Sequence, residues 1–442
     1  MIRRRIFNLA WPAVCEMLLY MLLDFVDVAF VGRLGARPLA AVGLGAQIFF
    51  SVIFIFSAMS AGATALIARA IGAGDMRRAG RVAGHALILA FLAGGVVTFV
   101  IYRFAGDVAA LFRFEPAVQH LAAVYMRITG LSAAFSLVYF IGNGIFRGAG
   151  MTRIPLLVAA LANVVHIGIE YVLIFGKLGF PALGMRGAAI ATACTQVFCC
   201  CVVLSLLFSG VTGLRVSLKE VLRSCDFALI KSIVRLSLPA GCEQALMDLG
   251  RIIGSFMLAG LGTVPFAAHQ VVLTAESLSY MPGYGFAVAA TTLVGQNLGA
   301  RNPDGASAHA VTAARMALLV MGGFAFLFLA LPGPVVGIFT SDPQVASLGA
   351  LCLRIAALEQ PSIALEMVFA GALRGAGDTR TPAMVTVLST WLLRIPLLYL
   401  SVYVLRFGLP AVWVITALDW SVRAASLTLL FRRGHWKQIE CA

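Results

Sequence analysis

The sequence predicts an all-α integral membrane protein of twelve transmembrane helices in two six-helix lobes related by a parallel internal repeat. Three observations predict it: a composition too apolar for a soluble surface, apolar runs of bilayer-spanning length, and a self-match at one fixed offset.

Of 442 residues, 61% are hydrophobic and 12% charged, and the mean hydropathy is +0.96. A soluble chain needs a polar exterior that this composition does not supply. In lipid the backbone must close its own hydrogen bonds, which leaves helices or a closed barrel. The apolar runs are long and continuous, and a helix needs roughly 20 residues to cross a core of about 30 Å. Helices are therefore favoured over a barrel. The net charge of +14 does not point to nucleic acid. The cations sit in short loops between apolar runs, and no nucleic-acid motif accompanies them.

Seven of the nine cysteines, Cys15, Cys194, Cys199, Cys200, Cys201, Cys242 and Cys352, lie inside apolar runs. They read as small hydrophobes without metal-ligand spacing. Arg3, Arg4 and Arg5 precede an apolar run that lasts to about Val31 and includes Asp24 and Asp27. This is read as a retained first helix, not a cleaved leader.

Apolar runs between charged or Gly/Pro breaks place the first six spans at 8–32, 43–68, 82–103, 120–144, 154–175 and 187–209. The second six fall at 235–259, 266–294, 309–332, 345–370, 382–405 and 409–431. The domains follow: an N-terminal lobe at 1–209, a cytoplasmic linker at 210–234, a C-terminal lobe at 235–431 and a cytoplasmic tail at 432–442. On the side of the termini and the alternate loops lie 21 Lys and Arg, Lys219 and Arg223 among them. The other side has seven: Arg33, Arg37, Arg103, Arg113, Lys177, Arg186 and Arg406. The positive-inside bias predicts cytoplasmic termini in a plasma (inner) membrane.

The repeat is the strongest organisational signal. Leu9-Ala10-Trp11-Pro12 matches Leu236-Ser237-Leu238-Pro239, Glu16 matches Glu243, Gly35 matches Gly262 and Gly72 matches Gly299. The stretch from Phe146 to Pro155 matches that from Leu373 to Pro382, and every pair is separated by 227 residues. Six spans per unit make both halves enter the membrane from the same side, so the repeat is parallel, with a cavity expected between halves.

Ionisable groups within a bilayer are costly and mark function. The first span carries Glu16, Asp24 and Asp27. At about 100° per residue, Glu16 and Asp27 fall within roughly 20° of one face, and Asp24 lies about 60° from Asp27. Pro12 removes a backbone donor near the start of this helix and permits bending there, which makes it the candidate hinge. An acid able to take up a proton in the bilayer makes Asp27 the candidate carrier. The bland alternative is an Asp paired with a neighbouring Arg.

The fifth span carries Asn163, His166 and Glu170 at i, i+3 and i+7, one polar stripe on an apolar helix. A proton or cation site is the reading for this stripe. Asp248 and Arg251, and Asp419 and Arg423, are spaced to neutralise each other. Glu366 and Arg394 complete the buried set. Candidate cavity residues are Glu16, Asp24, Tyr139, Asn143, Thr192, Gln196, Glu243 and Glu366. The two Arg-Gly-Ala-Gly segments, from Arg147 and Arg374, read as helix ends whose Arg anchors at the head groups. No nucleotide loop, metal motif or catalytic triad is present in the sequence.

These residues together resemble the multidrug and toxic compound extrusion (MATE) family across nearly the whole chain. The resemblance rests on Leu9-Ala10-Trp11-Pro12, Phe25-Val26-Asp27, Val31 to Gly35, Leu39 to Gly43, Gly184 to Thr192, and Gly371 to Pro382. It implies a proton- or sodium-coupled antiporter exporting amphiphilic, often cationic, compounds from a two-lobed frame. No cofactor is expected beyond the coupling ion, and the missing catalytic constellation counts against an enzyme. Asp27 matches the family's first-helix carboxylate, whose protonation is proposed to bend the helix at Pro12. Glu170 stands where Asp is usual, and His166 where Asn is usual.

The coupling acids that one branch carries in the seventh and tenth helices fall at Met247 and about Ile363 here. This favours the DNA-damage-inducible-type branch and a proton over sodium, with sodium at Asp27 and Glu170 the alternative. The expected partners are a small amphiphilic substrate and the bilayer, with no nucleic acid or nucleotide, and the expected state is a monomer. The rival readings are a lipid-linked precursor flippase of the same superfamily and, in another class, an intramembrane enzyme.

Overall fold

The computed structural model describes residues 1–112, 114–210, 213–217 and 226–439. Arg113, Lys219 and Arg223 of the charge count, and part of the predicted linker, lie outside the described residues.

The first half runs through α1 (Ile2–Gly32), α2 (Ala36–Ser57), α3 (Ser60–Gly72), α4 (Met76–Ala110), α5 (Pro116–Gly130), α6 (Ala133–Gly148), α7 (Arg153–Phe175) and α8 (Met185–Ser209). The second half has α9 (Phe227–Ala259), α10 (Thr263–Gly299), α11 (Pro303–Ala330), the short α12 (Pro332–Gly337), α13 (Pro343–Gly375), α14 (Arg380–Leu388), α15 (Ile395–Tyr399) and α16 (Leu409–Arg433). Two π-helical turns, Ser389–Arg394 and Leu400–Val404, flank α15.

Among the described residues, eight helical segments are long and apolar enough to cross a membrane, counting 36–72 and 380–404 as one each. The bent pair α5 and α6, at 57°, makes a ninth. The remaining three are α1, α9 and α10, of 31, 33 and 37 residues. Ionisable side chains within α1 and α9, and internal prolines at Pro12, Pro239 and Pro282, interrupt their apolar character. The total is twelve segments, six in each half. Several helices outrun the apolar stretches: α1 begins at Ile2 instead of 8, and α9 at Phe227 instead of 235. Polar residues beyond the hydrocarbon still close the i→i−4 ladder, so the helix does not stop where hydropathy does.

The chain forms two compact units. One comprises Met1–Val14, Ala68–Gly74 and Leu238–Ala442, and the other Cys15–Ile67 and Asp75–Ser237. In the first, α10, α11, α13 and α16 pack around Phe286, Leu293, Met321, Val368 and Phe431, interleaved with Ala289, Ala313 and Ala317. In the second, α2, α5, α7 and α8 close on Val31, Tyr125, Ile174 and Met185. Small residues let membrane helices approach closely, where packing and hydrogen bonds replace the hydrophobic drive.

The repeat persists in that packing. Thr64 Oγ1 donates to the Gly144 carbonyl at 2.9 Å in one unit, and Thr291 Oγ1 to the Gly371 carbonyl at 2.8 Å in the other. Gly35 and Gly262 precede α2 and α10 at φ of +106° and +103°, a backbone that a side chain would strain.

Candidate functional site

The helices α1 and α7 bring three ionisable side chains together. The i, i+3, i+7 spacing on α7 puts Asn163, His166 and Glu170 on one buried face. His166 Nε2 lies 3.0 Å from Asp27 Oδ1 and 3.7 Å from Glu170 Oε2. The other ring nitrogen, Nδ1, is 3.2 Å from Thr195 Oγ1 on α8. Asn163 donates to the Leu19 carbonyl at 2.8 Å, tying α7 to α1. The side chain of Asp27 is 30% exposed, against 3% for His166 and 1% for Glu170, so Asp27 is the accessible member of the cluster. The three groups offer ligand atoms all within 4.8 Å of one another. An imidazole touching two carboxylates can relay a proton between them, and the same atoms can face a small cation.

Asp24 is exposed, about 60° round α1 from Asp27. Glu16 lies three turns earlier and is fully buried. It accepts from Arg147 Nη2 at 2.6 Å and from Tyr20 at 3.5 Å, and the Tyr20 hydroxyl meets that of Tyr139 at 2.8 Å. Asn143 is buried one turn from Tyr139 on α6. Thr192 donates to the Ala188 carbonyl at 3.1 Å, and Gln196 sits one turn further along α8. Pro12 lies within α1, which is continuous through it.

In the other unit Arg374 donates to both oxygens of Glu243 at 2.8 Å. Glu366 is buried on α13. Asp248 pairs with Arg251, and Asp419 with Arg423 at 2.6 Å, as their spacing predicts.

The structure corrects one reading. Arg147 and Arg374 are not free head-group anchors: each bonds a buried acid 131 residues earlier, Glu16 and Glu243 respectively. Placing a guanidinium on an acid is more favourable than leaving that acid alone in an apolar interior. The structure also adds two acids within the long helices: Glu359 on α13, which is fully buried, and Glu276 on α10, which is partly accessible. The rule that singled out Glu366, an acid inside an apolar run, applies to both.

A multi-pass helical membrane protein, built twice over and holding acids and a histidine in its interior, is a membrane transporter by class. The MatE family model matches residues 12–172 and again 239–400, two matches that begin 227 residues apart, the offset at which the halves repeat. The chain is 32% identical over 442 residues to a probable multidrug resistance protein NorM of Thermotoga maritima, covering 99% of this chain and 94% of that protein. It is 29% identical over 400 residues to the multidrug resistance protein PmpM of Pseudomonas aeruginosa, covering 90% and 83%. Its fold matches an outward-facing multidrug resistance MATE family transporter with a TM-score of 0.91 at 24% identity, covering 99% of this chain and 97% of that one. The chain belongs to the MATE family of multidrug-efflux membrane transporters.

Proposed function

We propose that the chain is a proton-coupled antiporter that exports amphiphilic, often cationic, compounds by alternating access. The observation that carries this reading is the Asp27–His166–Glu170 cluster, two acids from different helices on one buried imidazole. Neutralising Asp27 weakens its hold on His166 and so alters what ties α1 to α7. The first helix also contains Pro12, the candidate hinge, where a missing backbone donor allows bending. A proton is favoured over sodium because an imidazole nitrogen already sits on Asp27 Oδ1, whereas hard cations take oxygen ligands. Met247 and Ile363 in place of acids support the DNA-damage-inducible-type branch, with coupling in the N-terminal half. Cytoplasmic termini, an inner-membrane location and a monomeric state complete the proposal. The relatives' names support drug export. Arg147, Arg251, Arg374 and Arg423 each bond an acid, which weighs against the basic cavity a lipid-linked precursor flippase needs.

The test is export of a fluorescent cation from proteoliposomes under an imposed pH or sodium gradient. The wild type should export under the pH gradient alone, and Asp27→Asn should fall to the level of empty vesicles. Full export by that variant, or export driven by sodium only, overturns the reading.

A further inference from the structure

A second cluster of charge lies in the unit that contains Leu238–Ala442. Glu276 on α10 and Glu359 on α13 come together where the two helices pack: Gln360, the chain neighbour of Glu359, reaches the Glu276 carboxyl, and the two acids lie within reach of each other. Glu359 is fully enclosed, and neither of its oxygens receives a hydrogen bond from any donor among the described residues. Glu276 is partly accessible and accepts from Gln360 Nε2 at 3.2 Å. Gln360 is itself held by Ser279, whose hydroxyl donates to Oε1 at 2.8 Å. The amide is thereby oriented with its donor toward Glu276.

The surroundings fix the charge. Arg394 faces both acids and lies 3.8 Å from Asp419. Asp419 is also bound by Arg423 at 2.6 Å and by the Ser389 hydroxyl at 2.5 Å. Arg394 and Ser389 both lie in the π-helical turn 389–394, an irregularity frequent at functional sites. Two guanidiniums therefore stand against three carboxylates. His269 lies against Trp413, with ring centroids 5.4 Å apart. The next groups outward, Glu366 beside Arg374 and Arg423, and Glu243 on Arg374, add acid rather than cation. The cluster is one positive charge short.

We propose that Glu276 and Glu359 share one proton and form a second protonation site, distinct from the Asp27–His166–Glu170 cluster. One proton between the two carboxyls makes the contact a hydrogen bond, supplies Glu359 with the partner it lacks, and brings the five-group cluster to neutrality. Two carboxylates this close cannot both ionise in an apolar interior without a counter-charge. A proton fits better than a metal cation, because Gln360 directs a donor, not an oxygen, at Glu276. The partial accessibility of Glu276 gives the pair a path for exchange that Glu359 alone would not have.

The test is infrared difference spectroscopy of the full-length protein in lipid vesicles at neutral pH, reading the carbonyl stretch of protonated carboxyls. Wild type minus Glu359→Gln and wild type minus Glu276→Gln should each show the loss of one carboxylic acid per chain. Either substitution leaves a single acid that ionises, since the two guanidiniums then balance the two remaining carboxylates. Asp27→Asn should retain the band, and sodium titration should leave it unchanged. The two glutamine variants are independent, so a folding failure of one leaves the other to decide. A band unaffected by both substitutions overturns the proposal, and a band that sodium removes replaces the shared proton with a bound cation. Because the band is also read in Asp27→Asn, this result stands or falls separately from the coupling role of Asp27.

Discussion

The two halves of the chain repeat one charge pair and differ in the rest of their buried charged groups. Glu16–Arg147 recurs as Glu243–Arg374, each separated by 131 residues. The positions that correspond to Asp27, His166 and Glu170 at the 227-residue offset are Gly254, Leu393 and Leu397. Those that correspond to Glu276, Glu359, Asp419 and Arg423 are Phe49, Ser132, Thr192 and Gln196. Duplication has therefore kept the contact that ties the proline-bearing helix to the Arg-Gly-Ala-Gly end, and has let each half place its titratable groups elsewhere. The shared pair belongs to the frame that the two halves have in common, and the unshared acids are what distinguishes one half from the other.

The largest effect should come from removing that difference. His166→Leu installs in α7 the side chain that its counterpart Leu393 carries. Export driven by a pH gradient should fall to the level of empty vesicles, as with Asp27→Asn, while the protein remains monodisperse in detergent. Full export by His166→Leu would show that the two acids couple without the imidazole, and would dissolve the contrast between the halves on the N-terminal side.

The repeated pair predicts a loss of stability in both halves, and not an equal one. Removing one partner of a buried ion pair costs about 3–5 kcal/mol, because the other charge is left behind. Arg147→Met strands Glu16, whose side chain is 0% exposed, whereas Arg374→Met strands Glu243, at 10% with an Arg that is itself 30% exposed. Water relieves part of the second loss. Thermal unfolding in detergent should therefore show the larger drop for Arg147→Met. Equal drops, or none, would mean that the pairs are not the common frame.

The fold was legible in the sequence because membrane spans are local: each apolar run declares its own helix, and the constant offset declares the duplication. The Asn163–His166–Glu170 stripe was legible for the same reason, since three residues on one helix show their face by spacing alone. Its meeting with Asp27 depended on the family resemblance, as nothing in residue spacing sets α1 against α7. Glu276 and Glu359 were not singled out. They lie on separate helices, and each alone looks like a lone acid in a long apolar run. Only the packing of α10 on α13 makes them a pair. Glu16–Arg147 did leave a signal, because a Glu and an Arg recur at the same offset in both halves. Residues that persist together through a duplication are candidates for contact.

A smaller effect is expected where the two halves share a close backbone approach. A methyl group on Gly375 would come within 2.1 Å of the Thr291 carbonyl oxygen, and one on Gly148 within 2.7 Å of that of Thr64. Both are backbone atoms that cannot swing aside. Overpacking of this kind costs about 1–3 kcal/mol. Gly375→Ala should lower the unfolding temperature more than Gly148→Ala, and the reverse order would place the tighter helix contact in the N-terminal half.

The smallest expected effect tests whether the frame is as symmetric as its hydrogen bonds. Thr64 and Thr291 each donate to a carbonyl of the facing glycine-rich helix, at 2.9 and 2.8 Å. Valine keeps the shape and removes the donor, and a single such bond is worth about 1 kcal/mol. Thr64 is buried, but the contact of Thr291 is only partly so, and Thr291 also donates to the Ala287 carbonyl at 2.9 Å. Water and this second acceptor share the work at Thr291, so Thr64→Val should cost more than Thr291→Val. A larger loss at Thr291 would mean that the glycine contact in the C-terminal half carries more than its hydrogen bond, and that the duplicated frame is stiffer there than in its N-terminal copy.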